Sequence, residues 1–259
     1  GGGVCGCCAS MARGLGIVAD GVSECRKVCR DELRKGAHCI KIMASGGVAS
    51  PTDKLEDLQF SADEIRAIVD EAVRKKTYVC AHAYTAEAIL RAVRLGVTSI
   101  EHGNLLDEEA AIAMRDAGAH LSQTIVTYAA VVEDGLKYGM PQRLVDKVGN
   151  LVQEGVRSVR LAKEIGVNVT YGSDLLGEMR PRQLEGFRYL LDAGLTPAEA
   201  LRTANENAAK LLGLPTGAIE EGLYCDLTVL NVDPLREDCM RALSADNVQR
   251  VYVAGERVL

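Results

Sequence analysis

TYVCAHAYTAEAILRAVRLGVTSIEHG, residues 77–103, holds two short apolar runs that each end in a histidine, His82 and His102, around an amphipathic stretch. The flanking runs are strand-like, and Thr85 to Leu95 places Ala88, Ile89, Ala92 and Val93 on one helical face. Two strands joined by a helix of that length run parallel with a right-handed crossover. Both imidazoles then stand at the carboxyl-terminal edge of adjacent strands, where α/β sheets and barrels place their active sites.

The same alternation extends both ways. Val22, Cys25, Val28, Cys29 and Leu33 recur at helical spacing before Gly36, which makes Cys25 and Cys29 part of a buried face rather than a metal pair. His38–Ala44 reads as a strand, followed by the breaker-rich SGGVASPTD. Ser61 with Glu64 three residues on is a capping box, opening a helix whose stripe is Ile65, Ile68, Val69, Ala72 and Val73. Beyond His102 follow a helix over 107–117, a strand over 119–126, one long helical pattern over 143–165 and a strand over 167–173. Two more helices are expected over 183–193 and 197–212, the second with Thr196 and Pro197 at its start. Strands ending near 42, 81, 101, 123 and 173 make five β/α units. A (β/α)8 barrel needs eight units over roughly 250 residues. The expected architecture is therefore α/β, a partial TIM-type barrel over residues 1–214 holding strands three or four to eight. Residues 215–259 change texture to short strands with turn signals and no helix between them, the C-terminal part of a small β-sandwich. About 45 residues of β structure cannot bury a core alone. Together with a start that lacks an initiator Met, this reads as a chain whose complement lies upstream.

Composition excludes several classes. A chain of 259 residues with 47% hydrophobic and 25% charged residues is an ordinary globular protein. Its net charge of -6 gives no electrostatic case for nucleic acid or an anionic membrane, and 4% aromatics with no Trp provide no base-stacking platform. No apolar run is long enough to span a membrane, and the Gly-, Ala- and Cys-rich start is not a signal peptide. Nine scattered cysteines, an odd count, are expected as reduced thiols of a cytoplasmic protein. Cys5, Cys7 and Cys8 lack the second ligand pair of a zinc finger.

Four polar residues fall at the carboxyl ends of different strands: Lys41, His82, His102 and Asp174. Singly, each has a plain explanation. A histidine at a strand end is commonly a hydrogen-bonded structural residue, and Gly-Ser-Asp is a common turn. A lysine inside the apolar CIKIMA, however, is costly to desolvate unless neutralised or paired. His38 and His120 sit at strand starts, on the opposite edge, and are expected to be structural. Two imidazoles, a carboxylate and a neutralisable amine converging at one rim form a hard-to-borderline metal site.

IKIMASGG, AHAYT, SIEHG and YGSD resemble, in order, the metal-binding strand ends of the amidohydrolase superfamily at strands four, five, six and eight. The nearest likeness is to its prolidase-like, arginine/lysine carboxypeptidase and ochratoxin-hydrolysing branch. GAIEEGLYCDLTVLNVDPL resembles the C-terminal sandwich of that superfamily, with Cys225 where Ala is usual. The resemblance implies a binuclear centre, usually two zinc ions, with Lys41 carboxylated by CO2 into a bridging carbamate. It implies His82 and His102 on the second metal, and Asp174 on the first metal as acid/base. The substrate would be a small-molecule amide, an N-acyl amino acid or dipeptide-like compound. Lys41 favours this branch over imidazolonepropionase-like ring-opening enzymes, which lack that lysine; a non-catalytic remnant is the reading from another class. Tyr84 and Tyr128 are candidates to reach the substrate carbonyl or carboxylate, with packing at the barrel mouth the equal alternative; Arg180 and Arg182 could pair with a substrate carboxylate, with solvated loop charges the plainer reading. The departure is the His-x-His pair of strand one: the four histidines here include no two that are two apart. The 259-residue chain by itself is thus expected to show little or no hydrolase activity, and homo-oligomerisation is left open.

Overall fold

A computed structural model of the chain describes residues 16–50 and 52–259. The Cys5–Cys8 cluster lies outside the described residues. The architecture begins with α1 (Val22–Arg34), β1 (Ile40–Met43), α2 (Ala62–Arg74), β2 (Val79–Thr85), α3 (Ala86–Arg94) and β3 (Ser99–Leu105). It continues with α4 (Glu108–Asp116), β4 (His120–Gln123), α5 (Ile125–Asp134), α6 (Gln142–Val148), α7 (Leu151–Ile165) and β5 (Asn168–Tyr171). The five strands form one sheet in sequential order, each parallel to its chain neighbour.

Local chemistry sets the helix starts. The Ser61 side chain accepts from Glu64 N while the Glu64 carboxylate accepts from Ser61 N, so the capping box is present. Thr85 and Asp107 accept from Ala88 N and Ala110 N at the starts of α3 and α4. Each such cap contributes about 1 kcal/mol. Packing then fixes the faces. Ala88, Ile89, Ala92 and Val93 of α3 are buried against Ala81, Ala83 and Ile100 of the sheet in one core cluster. Cys25 and Cys29 lie in the same cluster, and burial pushes both thiols up to about 11, which keeps them protonated and inert. In α2 the expected stripe shifts. Val73 faces solvent, and Glu71 takes the buried position, clamped by Arg30 at 2.7 and 2.9 Å and by Arg26 at 2.6 Å from α1.

Four expectations of element length are corrected. The apolar Ile125-Val126 does not extend β4; both residues are buried as the first turn of α5. The pattern over 143–165 is two helices, because Gly149 turns the chain at φ 50°, ψ −121° between α6 and α7. Residues 183–193 are divided by helix type: a 3-10 segment, Gly177–Glu185, carries Pro181 and hands over to α8 (Gly186–Asp192). The pattern over 197–212 is α9 (Pro197–Ala204) and α10 (Glu206–Leu212), broken at Asn205.

In the C-terminal stretch, β6 (Leu227–Leu230), β7 (Val248–Val253) and β8 (Glu256–Arg257) form a three-stranded antiparallel sheet. The stretch also contains a short helix, α11 (Glu237–Arg241), where none was expected. It docks the stretch onto the first part of the chain: Met240 and Leu243 join the core around Leu190, and Arg241 pairs with Asp192 at 2.6 Å. Among the described residues no helix is long and apolar enough to cross a membrane.

Candidate active site

Alternation along β2 divides its side chains. Ala81 and Ala83 enter the core beneath the helices, and His82 and Tyr84 turn to the other face. On β3 the register pairs Glu101 with His82 and His102 with Ala83. Paired residues of a parallel ladder share a face, so an ordinary strand would point His102 away from His82. Instead the ladder becomes irregular and the backbone enters the left-handed region at His102 (φ 76°) and Gly103 (φ 57°). This turn brings the His102 ring to 4.6 Å from His82 and stacks it on Tyr84 at 5.3 Å. Asp174, just past β5, is also left-handed at φ 50°. Such conformations cost on the order of 1 kcal/mol or more for a residue with a side chain, and they concentrate at functional sites.

Hydrogen bonds select one nitrogen of each ring. His82 Nε2 lies 3.1 Å from the Gly46 carbonyl, which only accepts, so Nε2 carries the proton and Nδ1 the lone pair. Gly47 allows this approach, since a Cβ there would stand 3.3 Å from His82 Nε2. His102 Nδ1 lies 2.7 Å from Thr124 Oγ1, leaving Nε2 as its second ring atom. Both rings are buried. Desolvation pulls His82 down to about 4, and it holds His102 well below the usual range, with His82 and Lys41 adding to the effect. Both are therefore neutral near pH 7, the form that binds metal.

The two rings, Lys41 and Asp174 line one cavity of about 680 Å³, shared with Tyr84 and Tyr128 and an apolar wall that includes Val131, Met140 and Leu176. Tyr128 donates to Tyr84 across 2.9 Å, and the Val48 N–H also donates to Tyr84. Burial pushes both phenols upward, so both stay protonated. With two donors already directed at its oxygen, Tyr84 keeps its own proton for a third partner. Asp174 is exposed at the cavity rim, and the partial desolvation there raises its carboxyl above the ordinary value, against the pull of Lys41 and with a push from Glu101.

The expectation that Lys41 is buried is corrected. β1 sends Ile40 and Ile42 into the core and Lys41 to the opposite face, where its side chain is exposed within the cavity mouth. Arg180 is exposed and outside the residues lining the cavity. Arg182 is instead the centre of an ion cluster, 2.5 Å from Glu133, 2.8 Å from Asp134 and 2.8 Å from Glu185, which ties the segment after Asp174 to α5. His38 is exposed before β1, and His120 is buried at the start of β4; neither lines the cavity. Thr124 and Val48 were not singled out by sequence reasoning, because Val48 acts through a backbone N–H and a lone Thr after a strand carries no signal.

Among the described residues no three His, Cys, Asp or Glu side chains come together closely enough to hold a metal ion. Two imidazoles, each with one ring nitrogen held and the other free, are the part of a cation site that is complete here. They fit a metal in the way ligating histidines do, each held through its other nitrogen by a backbone or hydroxyl oxygen.

Residues 1–258 match the amidohydrolase family. The chain belongs to that family. Ochratoxinase from Aspergillus niger is 33% identical over 224 residues, covering 85% of this chain and 46% of that protein. Imidazolonepropionase from Deinococcus radiodurans is 30% identical over 231 residues, covering 86% of this chain and 52% of the other. A crystal structure of a prolidase complexed with N-methylphosphonate-L-proline superposes with a TM-score of 0.92 at 45% identity, covering 98% of this chain and 62% of that one. The chain thus spans about half the length of the curated relatives it matches. As in those amidohydrolase neighbours, the sequential parallel strands make up part of a (β/α)8 barrel.

Proposed function

We propose that this chain carries the second-metal half of a metal-dependent amidohydrolase site, and that the complete protein hydrolyses the C–N bond of an N-acyl amino acid or dipeptide-like amide. The observation that carries this is the pair of neutral imidazoles at 4.6 Å, each locked by a hydrogen bond on its far nitrogen. Relatives named ochratoxinase and prolidase support the substrate class.

His82 Nδ1 and His102 Nε2 would hold one zinc ion, Lys41 as its CO2-derived carbamate would bridge to a second, and Asp174 would reach the first-metal side. Zinc when bound supplies a water acidic near pH 7 and polarises the scissile carbonyl. Lys41 gains the extra oxygen donors when its free amine adds CO2 and releases a proton. Asp174, with its carboxyl raised by partial desolvation, is matched to accept a proton from the attacking water and return it to the leaving amine. Tyr84 lines the cavity with its own proton unspent, and that O–H would bind the substrate carbonyl or carboxylate. The apolar wall keeps bulk water from the two imidazoles and Tyr84.

The test is zinc binding by equilibrium dialysis at neutral pH, joined to hydrolysis of a panel of N-acyl amino acids and dipeptides by the full-length protein. His82→Ala and His102→Ala should each lose zinc, and Lys41→Ala should lose zinc and turnover together. A wild-type protein that retains no zinc, or a double alanine variant that retains as much as the parent, would overturn the reading in favour of a non-catalytic remnant.

A further inference from the structure

Lys147, on α6, sits 94 to 100 residues beyond the turn that follows β1, yet its ammonium is spent entirely on that turn. Nζ donates to the carbonyls of Gly47 at 2.7 Å, Ser50 at 2.7 Å and Asp53 at 2.5 Å. An ammonium has three N–H donors, and here three acceptors receive them. Three carbonyl dipoles aimed at one point repel one another unless a cation stands between them, so this backbone shape needs a charge at its centre. Inside the turn Ser50 N donates to Gly47 O at 3.2 Å, Thr52 N and Asp53 N donate to Ser50 Oγ at 3.4 and 3.1 Å, and Ser50 Oγ donates to Asp53 Oδ2 at 2.8 Å, while Gly46 N donates to Asp57 O at 2.9 Å. The Lys147 tripod adds a tie from a distant helix that draws the carbonyls of Gly47, Ser50 and Asp53 to one charged point.

That backbone touches the candidate site twice. The Gly46 carbonyl, next to the first clamped residue, fixes the protonated nitrogen of His82. The Val48 N–H, one residue past it, donates to Tyr84. Val48 also packs with Tyr84, Tyr128 and Val148, the residue after Lys147, so the clamp and the apolar contact act on the same wall. We propose that Lys147 is a positioning residue: by gathering the carbonyls of Gly47, Ser50 and Asp53 it holds the backbone that sets the His82 tautomer and the Tyr84 proton. This deepens the hydrolase reading above, but its test needs no metal, so the two can fail separately.

The chain has four histidines, so long-range 1H–15N correlation of ring nitrogens resolves each one, with His82 assigned through His82→Asn. In the metal-free wild type, His82 should give the pattern of a single Nε2–H tautomer. Lys147→Met keeps the apolar stem and removes the charge; His82 should then average between tautomers. Exchange of the Gly46 and Ser50 amides should rise by about tenfold while that of α3 amides stays unchanged. Lys147→Arg, whose planar fork cannot serve three acceptors around one point, should disturb His82 as well. It also decides the matter if Lys147→Met does not fold. Methylammonium added to Lys147→Ala should restore the His82 pattern. An unchanged His82 tautomer in folded Lys147→Met or Lys147→Arg would overturn the proposal. So would a uniform rise in exchange with no rescue by methylammonium, which marks an ordinary structural staple.

Discussion

Thr124→Val replaces one hydroxyl by a methyl of nearly the same shape and removes the bond to His102 together with the one Thr124 makes to Tyr128. Thr124 and His102 are both buried and their side chains meet at 2.7 Å. Removing the hydroxyl leaves His102 Nδ1 unpaired in a place water does not reach, at a cost of about 1–3 kcal/mol of stability. For a chain of this size each kcal/mol shifts Tm by about 2–4 °C, which predicts a drop of about 2–12 °C. The larger expectation concerns the lone pair. Without its partner on Nδ1 the ring is free to place the proton on Nε2, the atom assigned to metal. Removing the oxygen that orients a ligating histidine typically weakens metal binding about 10- to 100-fold, which is about 1.4–2.7 kcal/mol. Calorimetric zinc titration against a competing chelator measures the affinity, with Thr124→Ser, which keeps the hydroxyl, as the control. If Thr124→Val binds zinc as tightly as the parent while Tm falls, the hydroxyl serves the fold alone. Equal losses in Thr124→Ser and Thr124→Val would likewise refute a role for the hydrogen bond.

Other expectations follow from packing and charge. Gly46→Ala should lower Tm and abolish zinc binding together, because its Cβ would run into the Lys54 carbonyl, a backbone atom that cannot yield without opening the turn; overpacking of this kind costs about 1–3 kcal/mol. Ile89, fully buried between α3 and the sheet, should lose about 0.5–1.5 kcal/mol on change to Val and about 2–5 on change to Ala in denaturant unfolding. Glu199 caps α9 and pairs with Lys163, which together hold its carboxyl down to about 2, from 4.5. Its contribution is fully present above pH 4.5 and lost as pH falls toward 2. The side chain is 39% exposed, so the effect is no more than about 1 kcal/mol after screening. Urea melts of wild type and Glu199→Gln should differ at pH 7 and converge near pH 2; a gap that persists at pH 2 would contradict this.

The strand–helix alternation was legible because each unit repeats one hydrophobic period, and caps such as Ser61–Glu64 and Thr85 mark the starts in adjacent residues. Helix breaks were less so. Gly149 and Asn205 interrupt patterns that remain apolar on both sides, so periodicity alone runs straight through them. In the candidate site, His82, His102, Lys41 and Asp174 were legible as polar residues of strand-like runs and they line one cavity, although Lys41, His82 and His102 lie within β1, β2 and β3 rather than at their carboxyl ends. How His102 gets there was not. Period-two alternation points it the wrong way, and only the left-handed backbone at φ 76° corrects it. The Gly46 carbonyl and the Val48 N–H belong to the main chain, which every residue has, so no residue type announces them. Arg182 was misread for a related reason: its charge is visible in the sequence, but Glu133 and Asp134, some 50 positions away, are what satisfy it.

The sequential order of the sheet bears on how the molecule assembles. In the five-stranded sheet each strand after β1 pairs with the strand before it in the chain, so β1 to β4 can join while the rest is still being synthesised, each pairing closing a loop of only a few tens of residues. The contacts that shape the cavity obey a different clock. His102 meets Thr124 across 22 positions and His82 meets Gly46 across 36, but the turn waits for Lys147, 94 to 100 positions downstream. A nascent chain therefore owns its two imidazoles well before it owns the wall that orients one of them, and the site matures after the scaffold.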